Sequence, residues 1–510
     1  MRLYPLFFAL ALSLIFPLSL SAKKPTEYLT MPLYEATPWG LSRLSGNVIS
    51  NAIGIYSPDR DVYEQVSATP RGAIMEFVFL RSSNSSLKFD FASHDEGFSS
   101  HQRVKWVSDK AFKGWIKFKS LDGQRPANTI YFYCELSKKP SRRVFSTANG
   151  KIDSAIETEG DDVNLICEFS TTENNVITVK TAISHTSIPG AMSNFREDFA
   201  TQQSVAQFQA DAIGLWDNEL NRIMVEGGSK NDKAEFYSSL YKLMLEPRAA
   251  TDIDGQYRGS DHRDHSSLSY THRNIYCSPD QANTLFPLLT IINPAVARDA
   301  MNTIIATARE NRSNSFSDGS FLLTGSHISP GIASISLLTD CVMKGLFPRN
   351  LPRALAYAEN TAKQLPPSTS PAEKEHIEWC LLQLAKTVGD SAAIQRHSAF
   401  ESLDINTEQY RGNDAAAFVL SACGLRPLAS GRAAYEITAP LFDQIIINFP
   451  SNYFTAKTFT ISVDRANPGD NMVSYVTFNG KPLKSAILTH KELSQGGELH
   501  ITLVGTKNMK

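Results

Sequence analysis

Residues 202–224 read Gln202-Gln-Ser-Val-Ala-Gln-Phe-Gln-Ala-Asp-Ala-Ile-Gly-Leu-Trp-Asp-Asn-Glu-Leu-Asn-Arg-Ile-Met224, and here the period of the hydrophobic pattern changes. Apolar residues recur at three- and four-residue spacing around Trp216, which is the period of a helix. Upstream, short apolar runs mostly alternate in polarity, whereas downstream the helical spacing continues to about residue 430. The sequence therefore predicts a β-rich N-terminal part followed by a helical part.

The upstream runs are rich in β-branched and aromatic residues and are separated by Gly, Asn, Asp and Ser. They are Ala73–Leu80, Gly114–Lys119, Ile130–Leu136, Val163–Phe169 and Val176–Ala182. Several such runs at this spacing indicate an antiparallel β-sandwich. Similar runs return after Ala434, and Asn479-Gly480 between two of them is a hairpin signal.

The sequence between these β-rich parts predicts helices, which begin at Asp232, Pro294, Leu351, Ala372 and Ala415. The fold class is therefore multidomain α and β, with an N-terminal antiparallel β-sandwich, a central α-helical domain and a small C-terminal β domain. The predicted boundaries are 1–22 for a signal peptide, 23–200 for the sandwich, 201–230 for a linker helix, 231–433 for the helical domain and 434–510 for the C-terminal β domain.

The charges of the chain are nearly balanced, with 50 Lys and Arg against 52 Asp and Glu in 510 residues, a net charge of −2. General nucleic-acid binders need a concentrated basic face, so we expect no nucleic-acid partner. The proportions of hydrophobic and charged residues, 42% and 20%, are those of an ordinary globular protein.

The first 22 residues have the pattern of a secretory signal peptide. Arg2 is followed by an almost wholly apolar run from Leu6 to Leu20, and Ser21-Ala22 supplies small residues at the cleavage position. An uncleaved membrane anchor is the alternative. No later stretch reaches 18 apolar residues, so we expect no membrane span after signal removal. The expected location is outside the cytoplasm: periplasmic, extracellular or at the cell surface.

The six cysteines show no CxxC or other metal-binding spacing. Disulfides are possible in an exported protein, and Cys134 and Cys167, both in β-like segments, are the favoured pair. For the other four we expect buried free thiols.

The densest polar cluster is Thr251-Asp-Ile-Asp-Gly-Gln-Tyr-Arg-Gly-Ser-Asp261. Asp252 and Asp254 would face the same way in an extended segment, and Arg258 could pair with either carboxylate. Carboxylates flanked by Arg and Tyr suit sugar hydroxyls. The alternative is an Asx-turn loop closed by an Asp–Arg pair.

Three histidines that follow this cluster, His262, His265 and His272, are candidates for a metal site, with solvated loop histidines as the favoured alternative. His327 is isolated, and we expect a structural role for it.

Matching blocks in one order carry a resemblance to a known family. They include Phe236-Tyr-Ser-Ser-Leu-Tyr241, the 252–261 string, Phe286-Pro-Leu-Leu-Thr-Ile-Ile292, Trp379-Cys-Leu-Leu-Gln-Leu-Ala-Lys386 and Val476-Thr-Phe-Asn-Gly-Lys-Pro-Leu483. Through them the chain resembles glycoside hydrolase family 92, the calcium-dependent, exo-acting α-mannosidases, most clearly over residues 202–300 and 434–502.

The resemblance implies a β-sandwich, an (α/α)6 toroid and C-terminal strands. It also implies inverting hydrolysis by one carboxylic acid and one carboxylate, calcium that holds a distorted mannose, and α-mannosyl glycans as partners. Asp252, Asp254 and Arg258, together with Asp280, are then candidate substrate-binding residues.

The chain also departs from the family. The Gly-Asn-Glu-Pro-Ser-His-His block of the general acid is absent, and Gln409-Tyr410 stand where the Gly-Asn-Glu-Asp-x-Gly-Gln block has its acidic pair. No catalytic residues or metal ligands can be assigned, and Glu373 and Asp414 are only weak candidates for catalysis. A first-turn Glu such as Glu373 is also explained by the helix dipole.

Residues 231–430 are too few for twelve helices and their loops, so we expect an incomplete toroid. The favoured interpretation is an exported relative of these mannosidases that binds α-mannosyl glycans and has impaired or lost hydrolysis, a pseudoenzyme. The alternatives are an active inverting α-mannosidase with replacement carboxylates and a purely structural envelope protein.

Overall fold

A computed structural model of the chain describes residues 24–505, apart from 46, 51, 60, 81–83, 95–96, 120–125, 154, 276, 318–330 and 402–413. Short 3-10 helices at Pro25–Tyr28 and Leu33–Glu35 precede the first strand, and a third lies at Ser398–Phe400. The described residues confirm the predicted fold class: a β-rich N-terminal domain, a helical centre and C-terminal sheets.

The N-terminal domain contains two large antiparallel sheets. Its strands are β1 (Leu44–Ser45), β2 (Val48–Ile49), β3 (Ile53–Tyr56), β4 (Val62–Ala68), β5 (Gly72–Phe79), β6 (Asn84–Asp90), β7 (Ser93–His94), β8 (Gly97–Trp106), β9 (Ala111–Lys119), β10 (Pro126–Leu136), β11 (Arg142–Thr147), β12 (Gly150–Asp153), β13 (Glu157–Gly160), β14 (Asn164–Ser170) and β15 (Val176–Ser184). One sheet has the order β1-β2-β3-β6-β14-β11-β12, the other β13-β8-β9-β10-β15-β5-β4 with β7 on β8. Strands such as β14 bury every second side chain, because alternate residues of a strand point to opposite faces. The core between the sheets is therefore built from residues such as Phe89, Phe112 and Phe132.

Two helices follow the sandwich: α1 (Ile188–Asp198) and α2 (Val205–Leu220), capped by Ser187 and Ser204. The helix predicted over 202–224 is present, but it ends at Leu220. Ile223–Glu226 instead forms β16, which pairs with a strand of the C-terminal sheet. Trp216 on α2 is fully buried and donates its indole N–H to the Ala36 carbonyl oxygen at 2.9 Å.

Nine further α-helices lie between residues 230 and 422 of the described chain. They are α3 (Lys230–Leu243), α4 (Pro279–Asn283), α5 (Leu285–Ile292), α6 (Pro294–Glu310), α7 (Ile332–Met343), α8 (Leu351–Ala362), α9 (Pro371–Val388), α10 (Ser391–His397) and α11 (Ala415–Ala422). Two short strands, β17 (Gln256–Arg258) and β18 (Asp264–Ser266), form a hairpin between α3 and α4. In the described part of the chain no helix is both long enough and apolar enough to span a membrane.

The C-terminal part contains two sheets. Its strands are β19 (Leu425–Pro427), β20 (Ala434–Ile437), β21 (Gln444–Asn448), β22 (Thr458–Arg465), β23 (Met472–Phe478), β24 (Lys481–Pro482), β25 (Ile487–Thr489) and β26 (Gly497–Val504), with α12 (His490–Ser494) before the last. The larger sheet has the order β16-β21-β22-β26-β23-β24. The predicted Asn479-Gly480 turn joins β23 and β24, with φ of 49° and 74°.

The expected Cys134–Cys167 disulfide is wrong. Both residues are free, buried thiols, as are the other four cysteines. Burial raises the pKa of the Cys134 thiol well above its usual value, and also raises that of the Cys167 thiol. The sandwich holds these sulfurs as small apolar groups in its core.

A buried carboxylate joins the N-terminal domain to the helical domain. Asp252 Oδ2 accepts hydrogen bonds from Ser184 Oγ at 2.7 Å and Thr186 Oγ1 at 2.5 Å. Asp252 Oδ1 accepts one from Asn194 Nδ2 at 2.8 Å, and the Asn194 side-chain oxygen accepts from the Ile253 backbone N–H. Although burial raises the pKa of Asp252, three donors from the end of β15 and from α1 hold the carboxylate in place.

We expect Asp252→Ala to lower the free energy of unfolding by roughly 2–4 kcal/mol, since it leaves several buried donors without an acceptor. Urea unfolding measures this change. Asp254→Ala, two residues further and exposed, is the matched control and should change stability by less than about 0.5 kcal/mol. Equal effects of the two substitutions would contradict a junction role for Asp252.

A buried ion pair lies inside the helical domain, at the C-terminal end of α7. Lys344 Nζ is 2.7 Å from Asp340 Oδ2, and both side chains are almost completely buried. Asp340 Oδ1 also accepts the Gly431 backbone N–H at 3.1 Å. Burial disfavours the ammonium, but the Asp340 carboxylate outweighs it and raises the pKa of Lys344. The pair therefore fastens α7 to the loop before β20.

We expect Lys344→Met to cost about 3–5 kcal/mol of stability, because it leaves a buried carboxylate without its counter-ion. The double variant Asp340→Leu/Lys344→Met should lose much less than the sum of the two single variants. Urea unfolding of the four proteins of this cycle gives the coupling energy. Additive effects would contradict the pairing.

Candidate functional site

The polar cluster predicted from the sequence lies on the β17–β18 hairpin and the turn before it. The Gly255 backbone N–H donates to the Asp252 carbonyl oxygen at 2.9 Å, and Gly255 has a φ of 81°, so residues 252–255 form a tight turn. The segment is not extended as expected. As a consequence Asp252 is buried in the domain junction, whereas Asp254 is exposed.

The other two residues of this cluster are also hydrogen-bonded within the protein. Asp254 accepts from the backbone N–H and the side-chain amide of Gln256 at 3.1 and 2.8 Å. Arg258 forms an ion pair with Asp264 at 3.1 Å, rather than with Asp252 or Asp254, and donates to the Thr186 carbonyl oxygen. The structure thus brings the predicted residues onto one hairpin but gives each a different partner, and their role in sugar binding stays a prediction.

Helix α6 holds this hairpin and the chain that follows it through one polar face. Asp299, Thr303 and Glu310 are four and seven residues apart and lie on the same side of the helix. Asp299 Oδ2 accepts two hydrogen bonds from the Arg273 guanidinium, at 3.1 and 2.9 Å, in a buried pair. Glu310, with its side chain only 1% exposed, accepts from the Tyr257 hydroxyl at 2.7 Å. Sequence reasoning missed this face, although its spacing was visible in the sequence.

The three candidate histidines do not converge on a metal site. His272 is buried and stacks on Tyr257 with ring centroids 3.9 Å apart, and burial lowers its pKa to about 3. His265 hydrogen-bonds Asp261 Oδ1 through Nε2 at 2.9 Å. His262 lies in the hairpin turn, where its carbonyl oxygen accepts from Arg258.

Calcium would need a cluster of oxygen ligands. Among the described residues, no group of three or more His, Cys, Asp or Glu side chains could hold a metal ion. The calcium that the resemblance implies stays a prediction, and no step of the chemistry is assigned to a metal.

The weak catalytic candidates occupy helix starts. Asp414 is the N-cap of α11: its Oδ1 accepts the Ala417 backbone N–H at 2.8 Å, and its Oδ2 accepts from Thr284 Oγ1 at 2.8 Å. Glu373 forms a capping box with Ser370 at the start of α9, accepting from the Ser370 N–H and hydroxyl. Both carboxylates have a structural explanation in the helices that they cap.

Several other sequence predictions can be placed only in part. Asp280 lies on α4, but its side chain is outside the described residues. His327 and the stretch Gln409–Asn413 are also outside them. The described neighbour Asn283 of α4 accepts a hydrogen bond from the Ser430 hydroxyl at 2.6 Å, so α4 is anchored to the loop before β20.

A cleft of about 710 Å³ lies beside the hairpin, where the N-terminal segment, the sandwich and α2 meet. We call it the junction cleft; its lining includes Trp39, Arg71, Glu219, Arg222 and Arg273. Trp39 donates its indole N–H to Glu219 Oε2 at 3.1 Å, which fixes the ring at the wall. The Nε atoms of Arg71 and Arg222 are buried without a hydrogen-bond partner. Both guanidinium groups also lie near carboxylates, Arg71 at 4.0 Å from Asp198 and Arg222 at 3.5 Å from Glu219. The cleft thus combines an aromatic ring with charged side chains.

Two family models match the chain. The model of the glycosyl hydrolase family 92 N-terminal domain matches residues 51–184, and that of the family 92 catalytic domain matches residues 190–379 and 406–505. No curated protein sequence matches the chain.

Solved structures of this family have a similar fold. The family GH92 α-mannosidase BT3965 from Bacteroides thetaiotaomicron is 16% identical, with 95% of each chain covered and a TM-score of 0.82. The family GH92 inverting mannosidase BT2199 from the same organism is also 16% identical, with 94% of this chain and 97% of that chain covered and a TM-score of 0.77. BT3965 has also been solved in complex with mannoimidazole. Because the two family models together cover most of the chain, the protein belongs to glycoside hydrolase family 92.

Proposed function

We propose that this protein binds α-mannosyl glycans in the junction cleft and that its hydrolytic activity is impaired or lost. The observation that carries the binding proposal is the Trp39 ring, held at the wall of this cleft by Glu219 beside the polar side chains of Arg71 and Arg222. Arginine side chains can donate to sugar hydroxyls, and carboxylates can accept from them. The indole ring offers a flat apolar surface for the sugar C–H groups.

The cleft also has a suitable size, since small-molecule sites are roughly 300–1,000 Å³. Its walls come from both the N-terminal domain and the helical domain, and sites at domain interfaces are common. The complex of BT3965 with mannoimidazole supports a mannose-like ligand for the present protein, which belongs to the same family.

The impaired hydrolysis is inferred from the state of the candidate carboxylates. Asp252, Asp414 and Glu373 each accept hydrogen bonds that fasten a domain junction or begin a helix. An inverting mechanism needs a carboxylic acid that donates a proton and a carboxylate that activates water. These three side chains already serve as structural acceptors, and the sequence blocks that carry the acid and the base are missing.

We expect no mannose release from α-linked manno-oligosaccharides, with calcium or after chelation, while the same sugars raise the melting temperature. Trp39→Ala should abolish this rise, and Trp39→Phe should retain part of it because a ring remains. Trp115→Ala, which removes a tryptophan from the outside of the sandwich, is the matched control. Differential scanning fluorimetry and chromatography of free mannose provide the two readouts.

Calcium-dependent mannose release that disappears in Asp280→Ala, Asp414→Asn or Glu373→Gln would contradict the loss of hydrolysis. It would identify an active α-mannosidase with replacement carboxylates. The absence of any thermal shift with these sugars would contradict the binding proposal and favour a purely structural protein.

We also propose that the chain is exported and that residues 1–22 are removed, on the basis of Arg2 and the apolar run from Leu6 to Leu20. Expression in a secreting host should give a mature protein that begins at Lys23, as read by N-terminal sequencing. Replacing Leu10 and Leu12 by Arg should leave the full-length chain in the cytoplasm. An unprocessed N-terminus in the exported wild-type protein would contradict this cleavage.

A further inference from the structure

A second cleft, of about 530 Å³, lies next to the hairpin and shares no lining residue with the junction cleft. Its walls are α6, the segment that begins α8, Tyr257 and residues 266–270 at the end of the hairpin. Four arginines line it: Arg298, Arg309, Arg349 and Arg353. We call it the arginine cleft.

The positive charge of this cleft is largely uncompensated. Its lining contains no Asp or Glu. Arg309 is 3.6 Å from Glu310, but that carboxylate is buried and accepts from the Tyr257 hydroxyl. None of the ion pairs among the described residues involves Arg298, Arg349 or Arg353, and Arg298 Nε is buried without a hydrogen-bond partner. In a chain whose net charge is −2, this cluster is a local feature that favours an anion.

The first turn of α8 adds to the positive electrostatic potential of the arginine cleft. Asn350 caps this 12-residue helix and accepts the Arg353 backbone N–H at 3.0 Å, and both residues line the cleft. The partial positive charge of a helix N-terminus stabilises a nearby anion. Guanidinium groups bind phosphate and sulfate through paired N–H donors, which a lysine cannot reproduce.

The remaining lining suits a saccharide. The side chain of Phe347 is 55% exposed, and Tyr270 and Tyr357 contribute rings to the walls. Asn302 and Asn350 contribute amides, which can both donate to and accept from hydroxyl groups. The volume is that of a small-molecule site rather than of a groove along a polymer.

We propose that the arginine cleft binds an anionic saccharide, namely a sugar that carries a phosphate or sulfate group. The guanidinium groups hold the anion, while the aromatic rings and amides hold the sugar. This site is additional to the α-mannosyl glycan site proposed above and does not depend on it.

The test is isothermal titration calorimetry of the whole protein at low salt with mannose 6-phosphate, mannose 6-sulfate, mannose and inorganic phosphate. We expect binding of at least one of the two anionic sugars, and the comparison of these two identifies the anion. Arg349→Gln/Arg353→Gln should weaken this binding tenfold or more, since it removes two charged donors, each worth about a factor of ten. Both arginines are exposed and outside the described ion pairs, so the variant should remain folded.

The matched control is Lys457→Gln/Lys484→Gln, which removes the same charge from exposed positions of the C-terminal part and should bind like the wild type. Trp39→Ala should also bind the anionic sugar normally, which separates this site from the junction cleft. Affinity for mannose equal to that for both anionic sugars would overturn the proposal, as would unchanged binding by the double arginine variant. Inorganic phosphate that binds as tightly as either anionic sugar would overturn the saccharide part.

Discussion

The arrangement of the two main domains depends on the buried Asp252 carboxylate. Its oxygens accept from Ser184, Thr186 and Asn194, which lie at the end of the last sandwich strand, just after it and on α1. A carboxylate inside a protein is costly unless donors surround it, so this acceptor and its three donors must form together. Because Asp252 begins the turn into the β17–β18 hairpin, the same contact fixes where the hairpin stands relative to the sandwich.

Helix α6 completes this constraint from the other side. Its polar face binds Arg273 through Asp299 and binds Tyr257 through Glu310, so the chain from the hairpin to α4 is held along the helix. The hairpin region is therefore hydrogen-bonded both to the end of the sandwich, through Asp252, and to α6, through Tyr257. The junction cleft reaches Arg273, and the arginine cleft reaches Tyr257. The arginines of the junction cleft lie near carboxylates, whereas Arg298, Arg349 and Arg353 of the arginine cleft are outside the ion pairs of the described residues.

The elements with a clear period could be predicted from the sequence, and those that depend on distant partners could not. Helix α8 begins at Leu351, as its sequence predicts, because one apolar face reveals the helical period. Helix α7 was missed, since nearly all of its residues are buried and its sequence has no polar side to reveal the period. The sequence pattern extends the predicted helix to Met224. In the structure Ile223–Glu226 instead forms strand β16, because it pairs with β21, more than 200 residues away in sequence. The incomplete toroid stays a prediction, because the nine α-helices described between residues 230 and 422 leave residues 318–330 and 402–413 out of the count.

The candidate site was less predictable for the same reason. The spacing of Asp252 and Asp254 suggested two carboxylates on one face, but a turn at Gly255 sends them to opposite environments. The donors that occupy Asp252 are 58 to 68 residues away in sequence, so no local pattern could identify them. Local patterns do indicate helix starts: the sequence placed Glu373 in a first turn through the helix dipole, and the structure adds its capping box with Ser370.

A hydrolase fold can keep carboxylates that begin helices and fasten domain junctions without placing two of them in the arrangement that hydrolysis needs. Inverting hydrolysis needs two carboxyl groups about 6.5–9.5 Å apart, both facing the substrate and a water molecule. An N-cap such as Asp414 contributes about 1 kcal/mol to helix stability. This contribution would be lost if the Asp414 side chain rotated toward a substrate. Binding makes no such demand, since arginine, asparagine and aromatic side chains recognise a sugar without changing protonation state. Recognition of a sugar by such side chains therefore does not require the carboxyl pair that hydrolysis needs.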